Sequence, residues 1–562
     1  MKSRTSFFNV SVLRKNLTRF APVWALYAVA EVLGLLTLDL GSARIVANDL
    51  HYIMGPVAIF HMVYALIVAA CLFGDLFDNR LCNGLHAMPM RREGWLLTNL
   101  VSGLLFALIP AAAGGLVAAI ALKEYYWIAL LWQATSLLQF VFFFGVAVFC
   151  ALCAGKRLGM IGLYAILNFL AMLVFWLATL VYQPLLPGVV LSEESFSRFC
   201  PVISMVSHRY IDFYYDKILG GYFRGFMNQD WYYLYICAGL GVLFMVLAWQ
   251  LYRKRQLETA GDFISFRPVK AVFLLAYTLA MGTLVYAFSG VFFGMASSYI
   301  FLTVGILIGW FTGWMLLERT VKIFTKKVLL GCLAFSVAFI ATIGLTVWDP
   351  MGIASYIPDT EEVEFACLYP FSSSNHYTDD GESGRYVTDP DEITQVQQLH
   401  RDMIDTRSDT DGEYMMVGVK YRLKNGRVIT RNYQVDAESK TKENLRPFFS
   451  DLRSVFDVND WTEVKNTMDT GIVYWHEEGD KRAMIMLPEE KAELLAALEA
   501  DGEAGLLVQS DWYHGLEGSV ASLDITWRSA DQDGIIRTRN EFITIYSDCV
   551  NTCAFLEKLK DN

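Results

Sequence analysis

The feature that most constrains this chain is a series of nine apolar stretches within its first 348 residues. Each is about as long as the roughly 20 helical residues that cross a hydrocarbon core about 30 Å thick. The predicted spans are 20–40, 51–73, 95–121, 126–153, 158–185, 231–252, 270–289, 297–317 and 328–348. One such stretch would also suit a buried helix of a globular protein. Nine in succession predict a polytopic, mainly α-helical membrane protein.

Charge divides the chain into two parts that suit different solvents. Residues 1–348 carry 25 Lys and Arg against 15 Asp and Glu, whereas residues 349–562 carry 21 against 42. Overall, 55% of the residues are hydrophobic and 18% are charged, which is more apolar than an ordinary soluble protein. This pattern excludes a disordered chain and a single soluble enzyme. It predicts a membrane part followed by an acidic domain in water.

Lys and Arg in the short loops predict the orientation, because cytoplasmic loops are enriched in them. With the N-terminus inside, 19 basic residues of the membrane part lie on the cytoplasmic side and 6 outside. An odd number of spans then places the segment after Asp349 outside the cell. Residues 1–19 mix apolar side chains with five basic ones and have no cleavage site, so we expect an amphipathic interfacial helix. A plain cytosolic tail is the alternative.

The sequence contains none of the usual signatures of ATP binding or catalysis. Gly155-Lys156 is followed by Arg157, where a phosphate-binding loop requires Ser or Thr. His476-Glu477-Glu478 lacks the second histidine of a zinc protease motif, and the eight histidines form no ligand pattern. We therefore expect no catalytic residues, no metal site and no cofactor in this chain.

The loop 74–94, between the second and third predicted spans, carries the most informative pattern. Apolar residues recur there at helical spacing, which predicts a short amphipathic helix. They are Phe77, Leu81, Leu85 and Met88. The helix should end near Met88, because Pro89 disfavours helical geometry in the preceding residue. Such a helix suits docking of a soluble partner, and an inert surface helix is the alternative.

Two segments resemble ABC-2-type transporter permeases. The first is the loop 74–94, with Arg80, Asn83-Gly84-Leu85 and Met88-Pro89-Met90-Arg91-Arg92-Glu93. The second follows the sixth span and resembles a segment of Ytr-like permeases, a branch linked to envelope and antibiotic responses. It contains Tyr252-Arg253-Lys254-Arg255, Glu258-Thr259-Ala260-Gly261-Asp262 and Phe266. The resemblance covers about residues 1–270.

In that family the loop docks into a groove of a separate ATPase subunit, and an interfacial helix followed by six spans is the usual unit. The resemblance implies the permease subunit of an ATP-driven ABC exporter in a bacterial plasma membrane. It would pair with a second permease and with an ATPase that binds ATP and magnesium. The residues implied in coupling are Phe77, Arg80, Leu81, Gly84, Leu85, Met88, Pro89 and Arg91.

The same reading gives the expected domains. They are an interfacial helix (1–19), a six-helix permease unit (20–270), three additional spans (271–348) and an external domain (349–562). An envelope sensor, whose external domain binds a ligand and signals through the helices, is the main alternative function. A membrane enzyme is a further alternative that lacks any catalytic set.

A few polar residues fall inside the predicted spans. They are Glu31, His61, Gln133, Gln139 and Asn168. A carboxylate at the bilayer centre costs at least about 2.5 kcal/mol, so we expect Glu31 to face protein or water. These residues are candidates for a transport path or a dimer interface. Ordinary hydrogen bonds between helices are the alternative.

Residues 349–562 predict a folded α+β domain. Asn425-Gly426 lies between two alternating runs, which is a strong hairpin signal, and a second hairpin is predicted around a turn at 531–534. In both, an Arg-Asn pair follows the turn glycine by five residues and an aromatic-Arg pair precedes the turn. Helices are predicted before and after each hairpin. We expect two α-β-β-α repeats, and chance similarity is the alternative.

Four of the ten cysteines are predicted to face outside, among them Cys549 and Cys553. These two lie one helical turn apart, so a disulfide between them is geometrically possible. Two free buried thiols are the expected state, since a domain of this size folds without a covalent link.

Overall fold

The structure, a computed structural model, describes residues 8–36, 49–50, 52–87, 90–123, 126–191, 196–208, 210–216, 222–227, 231–255, 261–293, 298–370, 386–405, 414–436, 440–450, 452–456, 458, 460–476, 482–507, 519–530 and 536–561. The chain divides into two compact units. We call Met1–Tyr182 with Ser192–Thr342 the membrane unit, and Gln183–Leu191 with Ile343–Asn562 the C-terminal unit.

Helices dominate the chain as far as residue 348. They are α1 (Val10–Arg19), α2 (Ala21–Leu36), α3 (Val57–Leu72), α4 (Asn79–Ala87), α5 (Arg92–Leu122), α6 (Tyr126–Cys153), α7 (Arg157–Leu177), α8 (Pro201–Ser207), α9 (Trp231–Lys254), α10 (Arg267–Phe293), α11 (Ser298–Glu318) and α12 (Lys326–Trp348). A hairpin of β1 (Ile211–Asp216) and β2 (Tyr222–Met227) precedes α9.

Seven of the described helices are long and apolar enough to cross a membrane, namely α5, α6, α7 with its extension to Leu185, α9, α10, α11 and α12. This confirms the prediction of a mainly helical protein with apolar helices of membrane-spanning length. The first two predicted spans coincide with α2 and α3, which are shorter apolar helices of 16 residues each. Each is therefore about 24 Å long, which is less than the thickness of a hydrocarbon core of about 30 Å. The count of nine spans depends on whether these two helices cross the membrane.

Helix α6 lies at the centre of the membrane unit, and 78% of its most apolar stretch of 18 residues is buried. Close contact with α9 depends on two glycines, because a Cβ atom on Gly145 would lie 2.1 Å from the carbonyl oxygen of Gly241. Small residues of this kind let two helix backbones touch, which is a common basis of helix packing in membranes.

The C-terminal unit contains two four-stranded antiparallel sheets. The first has the order β4-β3-β5-β6 and the second the order β8-β7-β9-β10. The strands are β3 (Val363–Pro370), β4 (Tyr386–Val387), β5 (Tyr414–Leu423), β6 (Val428–Asp436), β7 (Met468–Trp475), β8 (Arg482–Ile485), β9 (Ser519–Ala530) and β10 (Ile536–Tyr546). The helices are α13 (Pro390–Asp405), α14 (Lys440–Phe449), α15 (Leu452–Val455), α16 (Trp461–Thr467), α17 (Pro488–Glu503) and α18 (Val550–Asp561).

Both predicted hairpins are present, as β5–β6 and β9–β10, and the predicted helices flank them. The helix before the first hairpin, α13, begins at Pro390. The carboxylate of Asp389 accepts the amide hydrogen of Asp391 at 2.9 Å. Each predicted α-β-β-α unit lacks the two strands that the structure has before its first helix. These strands are β3 and β4 before α13, and β7 and β8 before α17. Of these, β4 has two residues and β8 has four, which is too short for an alternating pattern to be detected.

The two Arg-Asn pairs occupy matching positions relative to their turns, since Arg431 lies opposite Val419 and Arg539 lies opposite Trp527. The aromatic-Arg pairs do not match, because Tyr421 lies opposite Ile429, two residues closer to its turn than Trp527 is. The Arg-Asn pairs are therefore equivalent in the two hairpins, whereas the aromatic-Arg pairs both precede their turns but at different distances.

The segment 183–191, which follows α7 in the chain, belongs to the C-terminal unit. Val189 pairs with Arg431 at the edge of β6, and the Gly188 carbonyl accepts the amide hydrogen of Asn432 at 2.9 Å. Gly188 has φ +73°, and a Cβ atom there would lie 2.4 Å from the Tyr433 ring. A glycine is needed for both reasons. The sequence predicts only a loop here.

Cys549 and Cys553 are both free thiols in the structure. Their Sγ atoms donate hydrogen bonds to the carbonyl oxygens of Leu506 and Tyr546, each at 3.4 Å. We therefore expect a reducing agent to leave the melting temperature of the C-terminal unit unchanged. Thermal melts with and without dithiothreitol measure this, and a drop of several degrees in the reduced sample would indicate a disulfide.

Candidate coupling site

The loop 74–94 folds as a short 3₁₀ turn, Gly74–Phe77, followed by α4. Asp78 lies between them and caps the helix, because its Oδ1 accepts the amide hydrogens of Arg80 at 2.7 Å and Leu81 at 3.2 Å. Helix α4 ends at Ala87, close to the predicted end. Met88 and Pro89, which are among the proposed coupling residues, lie outside the described residues.

The apolar residues of this loop point in different directions. Phe77 is half-buried and packs against the core of the membrane unit, whereas Leu81 is 55% exposed. Cys82, one residue further on, is buried, and it is the one buried position among the side chains of α4 that the structure describes. Phe77 lies in the 3₁₀ turn and not in the helix, so it does not share an outward face with Leu81. The side chain of Leu85 is outside the described part of the structure.

The polar candidates of the loop lie on its outer surface. Arg80, Gly84 and Arg91 are all exposed. Leu81 and these three residues are therefore all accessible from outside the membrane unit.

Arg255, from the second resembling segment, connects this loop to the end of α6. It is 5% exposed, and its guanidinium donates to the carbonyl oxygens of Ala151 at 3.2 Å and Leu152 at 3.0 Å. A third hydrogen bond, of 3.2 Å, goes to the carbonyl oxygen of Leu76. A cation at the C-terminal end of a helix is favoured by the unpaired carbonyls and the helix dipole. Arg255 therefore fixes the 3₁₀ turn to α6.

Neighbouring residues of the two segments also meet. Arg253 forms an ion pair with Glu93 at 2.6 Å on the surface. Behind it, the Trp95 ring lies between Tyr252 and Phe73, with centroid distances of 5.7 and 5.6 Å. The structure thus brings together two segments about 160 residues apart that were linked in the sequence only by resemblance.

The loop between α6 and α7 completes this end of the membrane unit. Gly261, at φ +93°, donates its amide hydrogen to the carbonyl of Gly155 at 2.8 Å, and Ser265 donates to Cys153 at 2.8 Å. Three loops therefore meet at one end of the helices. Their basic residues, together with those at the adjoining helix ends, are Arg80, Arg91, Arg92, Lys156, Arg157, Arg253, Lys254, Arg255, Arg267 and Lys270.

Helix α1 is attached to the start of α5 by polar contacts that the sequence did not reveal. Asn16, 7% exposed, donates hydrogen bonds to Asn99 Oδ1 at 2.7 Å and Ser102 Oγ at 3.0 Å. The amide of Asn9 donates to Thr98 Oγ1 at 3.2 Å. The segment predicted to form an interfacial helix contains a helix at Val10–Arg19, and one polar residue of this helix faces protein.

The polar residues predicted within the spans form a cluster, apart from one. His61 is fully buried, and its two ring nitrogens lie 2.8 Å from the Tyr27 hydroxyl and 3.0 Å from Gln139 Oε1. The Gln139 amide in turn donates to the carbonyl oxygen of Met54 at 3.0 Å. Glu31 and Gln133 lie nearby against α5. These groups link α2, α3, α5 and α6.

Asn168 lies apart from this cluster, since its amide donates to the carbonyl oxygen of Tyr164 in its own helix at 2.8 Å. The side chain of Asn168 thus bonds within one helix and not between helices as the alternative expected, and its Oδ1 has no partner among the described residues. No group of His, Cys, Asp and Glu suited to holding a metal ion occurs among the described residues.

A buried histidine lies in the first sheet of the C-terminal unit. His400 is fully buried, with its ring nitrogens 3.1 Å from the Tyr421 hydroxyl and 2.8 Å from the Tyr433 hydroxyl. Burial, with a smaller contribution from Arg431, lowers the pKa of His400 to about 4. The domain therefore holds this histidine neutral.

The His400 geometry predicts a loss of stability in acid. Between pH 6.5 and 4 the unfolded chain binds a proton that the folded domain does not, so the free energy of unfolding should fall by about 3 kcal/mol as the pH drops through this range. Expressed alone, residues 355–562 should be soluble and unfold cooperatively in urea. A His400→Gln variant should lose this part of the pH dependence. Equal pH slopes in the two proteins would contradict the prediction.

Comparison with protein-family models, with curated proteins and with solved structures finds no match to this chain.

Proposed function

We propose that the chain is the permease subunit of an ATP-driven ABC exporter in a bacterial plasma membrane. It would couple to a separate ATPase subunit through the loop 74–94 and would work with a second permease. ATP and magnesium would be bound by the ATPase. One observation carries the proposal: the two segments that resemble such permeases, 74–94 and 252–266, are in contact at one end of the helices.

The geometry suits transmission of force between a partner and the spans. A partner that docks on Leu81 and Arg80 would push on α4, which continues into the 3₁₀ turn. Arg255 ties that turn to the end of α6, the most buried helix of the unit. Movement at the surface would therefore reach the centre of the helices through hydrogen bonds to a single buried side chain.

The cytoplasmic placement of this end is part of the proposal and is supported by its many basic residues. Reporter fusions after Arg92, Arg255 and Lys327 should report cytoplasm, and a fusion after Asp349 should report the exterior. The last fusion tests whether the number of spans is odd, which holds both when α2 and α3 cross the membrane and when neither does. A cytoplasmic signal after Asp349 would show that the number of spans is even.

We also propose that the C-terminal unit is built from two copies of a β-β-α-β-β-α unit. The identical strand order of its two sheets and the matching positions of Arg431 and Arg539 support this.

An envelope sensor is the rival function, because the C-terminal unit is large and the chain would then need no ATPase. The two are separated by purifying the native chain after co-expression with the proteins encoded beside it. An ABC ATPase that co-purifies supports export, and a kinase that co-purifies in its place supports sensing.

A further inference from the structure

Glu31 is the buried carboxylate in the described part of the membrane unit. It is 9% exposed and lies on α2, one helical turn after Tyr27. Its carboxylate rests directly on α5, since a Cβ atom on Gly114 would lie 2.1 Å from Glu31 Oε2. Gln133 of α6, 8% exposed, rests in the same way on the next residue, Gly115.

Three atoms of this pair lack a hydrogen bond of normal geometry. The Tyr27 hydroxyl and the Gln133 side chain approach the carboxyl of Glu31, yet Glu31 Oε2 and both amide atoms of Gln133 are buried and have no hydrogen-bond partner of normal geometry among the described residues. Buried polar groups are nearly always paired, and an unpaired ionised carboxylate in an apolar interior is the most unfavourable case. These adjacent exceptions therefore favour a carboxyl that carries a proton and no charge.

Among the residues that the structure describes, the groups around Glu31 do not provide a positive charge. The titratable ones are Tyr27 on its own helix and His61 and Tyr64 on α3, and the Tyr27 hydroxyl lies 2.8 Å from His61. At the contacts with α5 and α6 the facing residues are Gly114 and Gln133, which are uncharged. A proton on the carboxyl removes the charge without any further partner.

We propose that Glu31 is a proton-binding site whose proton exchanges with water. A proton taken up from water forms an O–H bond on the carboxyl, and release returns the proton to water and leaves a carboxylate. A hydrogen-bonded series begins at Tyr27, one helical turn from Glu31, and runs through His61 and Gln139 to the Met54 carbonyl, which places further polar groups between the helices. This property does not depend on an ATPase partner.

Dicyclohexylcarbodiimide tests the proposal, because it modifies protonated carboxyls in apolar surroundings. The full-length chain in lipid nanodiscs would be treated at pH 6 and pH 9, and modification of Glu31 would be measured by mass spectrometry. We expect at least about tenfold more modification at pH 6, because the protonated fraction of a carboxyl falls tenfold per pH unit above its pKa. No modification at pH 6, or equal modification at both values, would overturn the proposal.

A second readout uses variants. Glu31→Gln keeps the shape of the side chain but cannot ionise. At pH 6 its melting temperature should equal that of the native chain, and at pH 9 its melting temperature should be higher than that of the native chain. A Glu31→Gln chain that melts well below the native chain at pH 6 would show that the charged form is required. Gly114→Ala should reduce the modification several-fold by displacing the carboxyl. Gly239→Ala, which has open space around it, is the matched control.

Discussion

Arg255→Met is expected to lower the free energy of unfolding of the membrane unit by about 2–5 kcal/mol, the largest loss of stability that we predict for a single substitution. The variant keeps the length of the side chain but leaves the carbonyl oxygens of Leu76, Ala151 and Leu152 without their donor. Each buried acceptor left unpaired costs about 1–3 kcal/mol, and removal of the buried charge returns part of this.

Thiols next to the site provide the measurement. Cys82, Cys150 and Cys153 are at most 2% exposed, so their reaction with a fluorescent maleimide reports opening of this end of the helices. We expect labelling of the Arg255→Met chain to be at least about tenfold faster than that of the native chain.

Arg253→Met is the matched control, since Arg253 lies two residues away and forms an exposed ion pair with Glu93. Exposed pairs contribute at most about 1 kcal/mol. Equal labelling rates in the two variants would show that Arg255 does not hold the loop to α6.

The parts of this fold that could be predicted are those whose cause lies within a few consecutive residues. Long apolar runs predicted α5–α7 and α9–α12, and alternation around Asn425-Gly426 predicted β5 and β6. The end of α4 near Met88 followed from the proline after it, and the start of α13 followed from Asp389-Pro390. In each case the local pattern and the final structure agree.

What the sequence did not reveal depends on contacts between distant residues. Arg255 belongs to a run of basic residues after α9, and nothing local indicates that it caps α6 and holds Leu76. The sequence pattern does not single out Asn16 within residues 1–19, although it bonds to Asn99. The pairing of residues 183–191 with β6 likewise depends on an edge strand more than 200 residues later.

For the polar residues within the spans, the sequence indicated which ones matter but not how they are arranged. His61 and Gln139 prove to be joined, while Asn168 bonds within its own helix. Tyr27, which connects His61 to the helix of Glu31, was not selected at all. A tyrosine in an apolar helix gives no signal of this kind, because its ring suits the core as well as any other aromatic residue.

The central claim is that an ATPase docks on the outward face of α4. Replacing Leu81 and Leu85 with Asp should abolish most of that contact. Leu81 is 55% exposed, so its substitution removes little internal packing. Burial of one Leu contributes roughly 1.5–3 kcal/mol, and loss of two such contacts should weaken docking by well over about tenfold.

Val321→Asp is the matched control. Val321 is 75% exposed in the loop between α11 and α12, on the same proposed side of the membrane but outside the coupling loop. It introduces one negative charge, against two in the double variant, in place of an exposed apolar side chain and should leave ATPase binding unchanged. A loss of binding in this control would point to a general charge effect on the assembly.

The most direct test is co-purification of the neighbouring ATPase with the native chain, the Leu81→Asp/Leu85→Asp chain and the Val321→Asp chain, followed by ATP hydrolysis by each assembled complex. We expect the native and Val321→Asp chains to retain the ATPase and its activity, and the double variant to lose both while keeping the native melting temperature. A double variant that binds the ATPase and hydrolyses ATP at the native rate would contradict the claim that this loop is the coupling element.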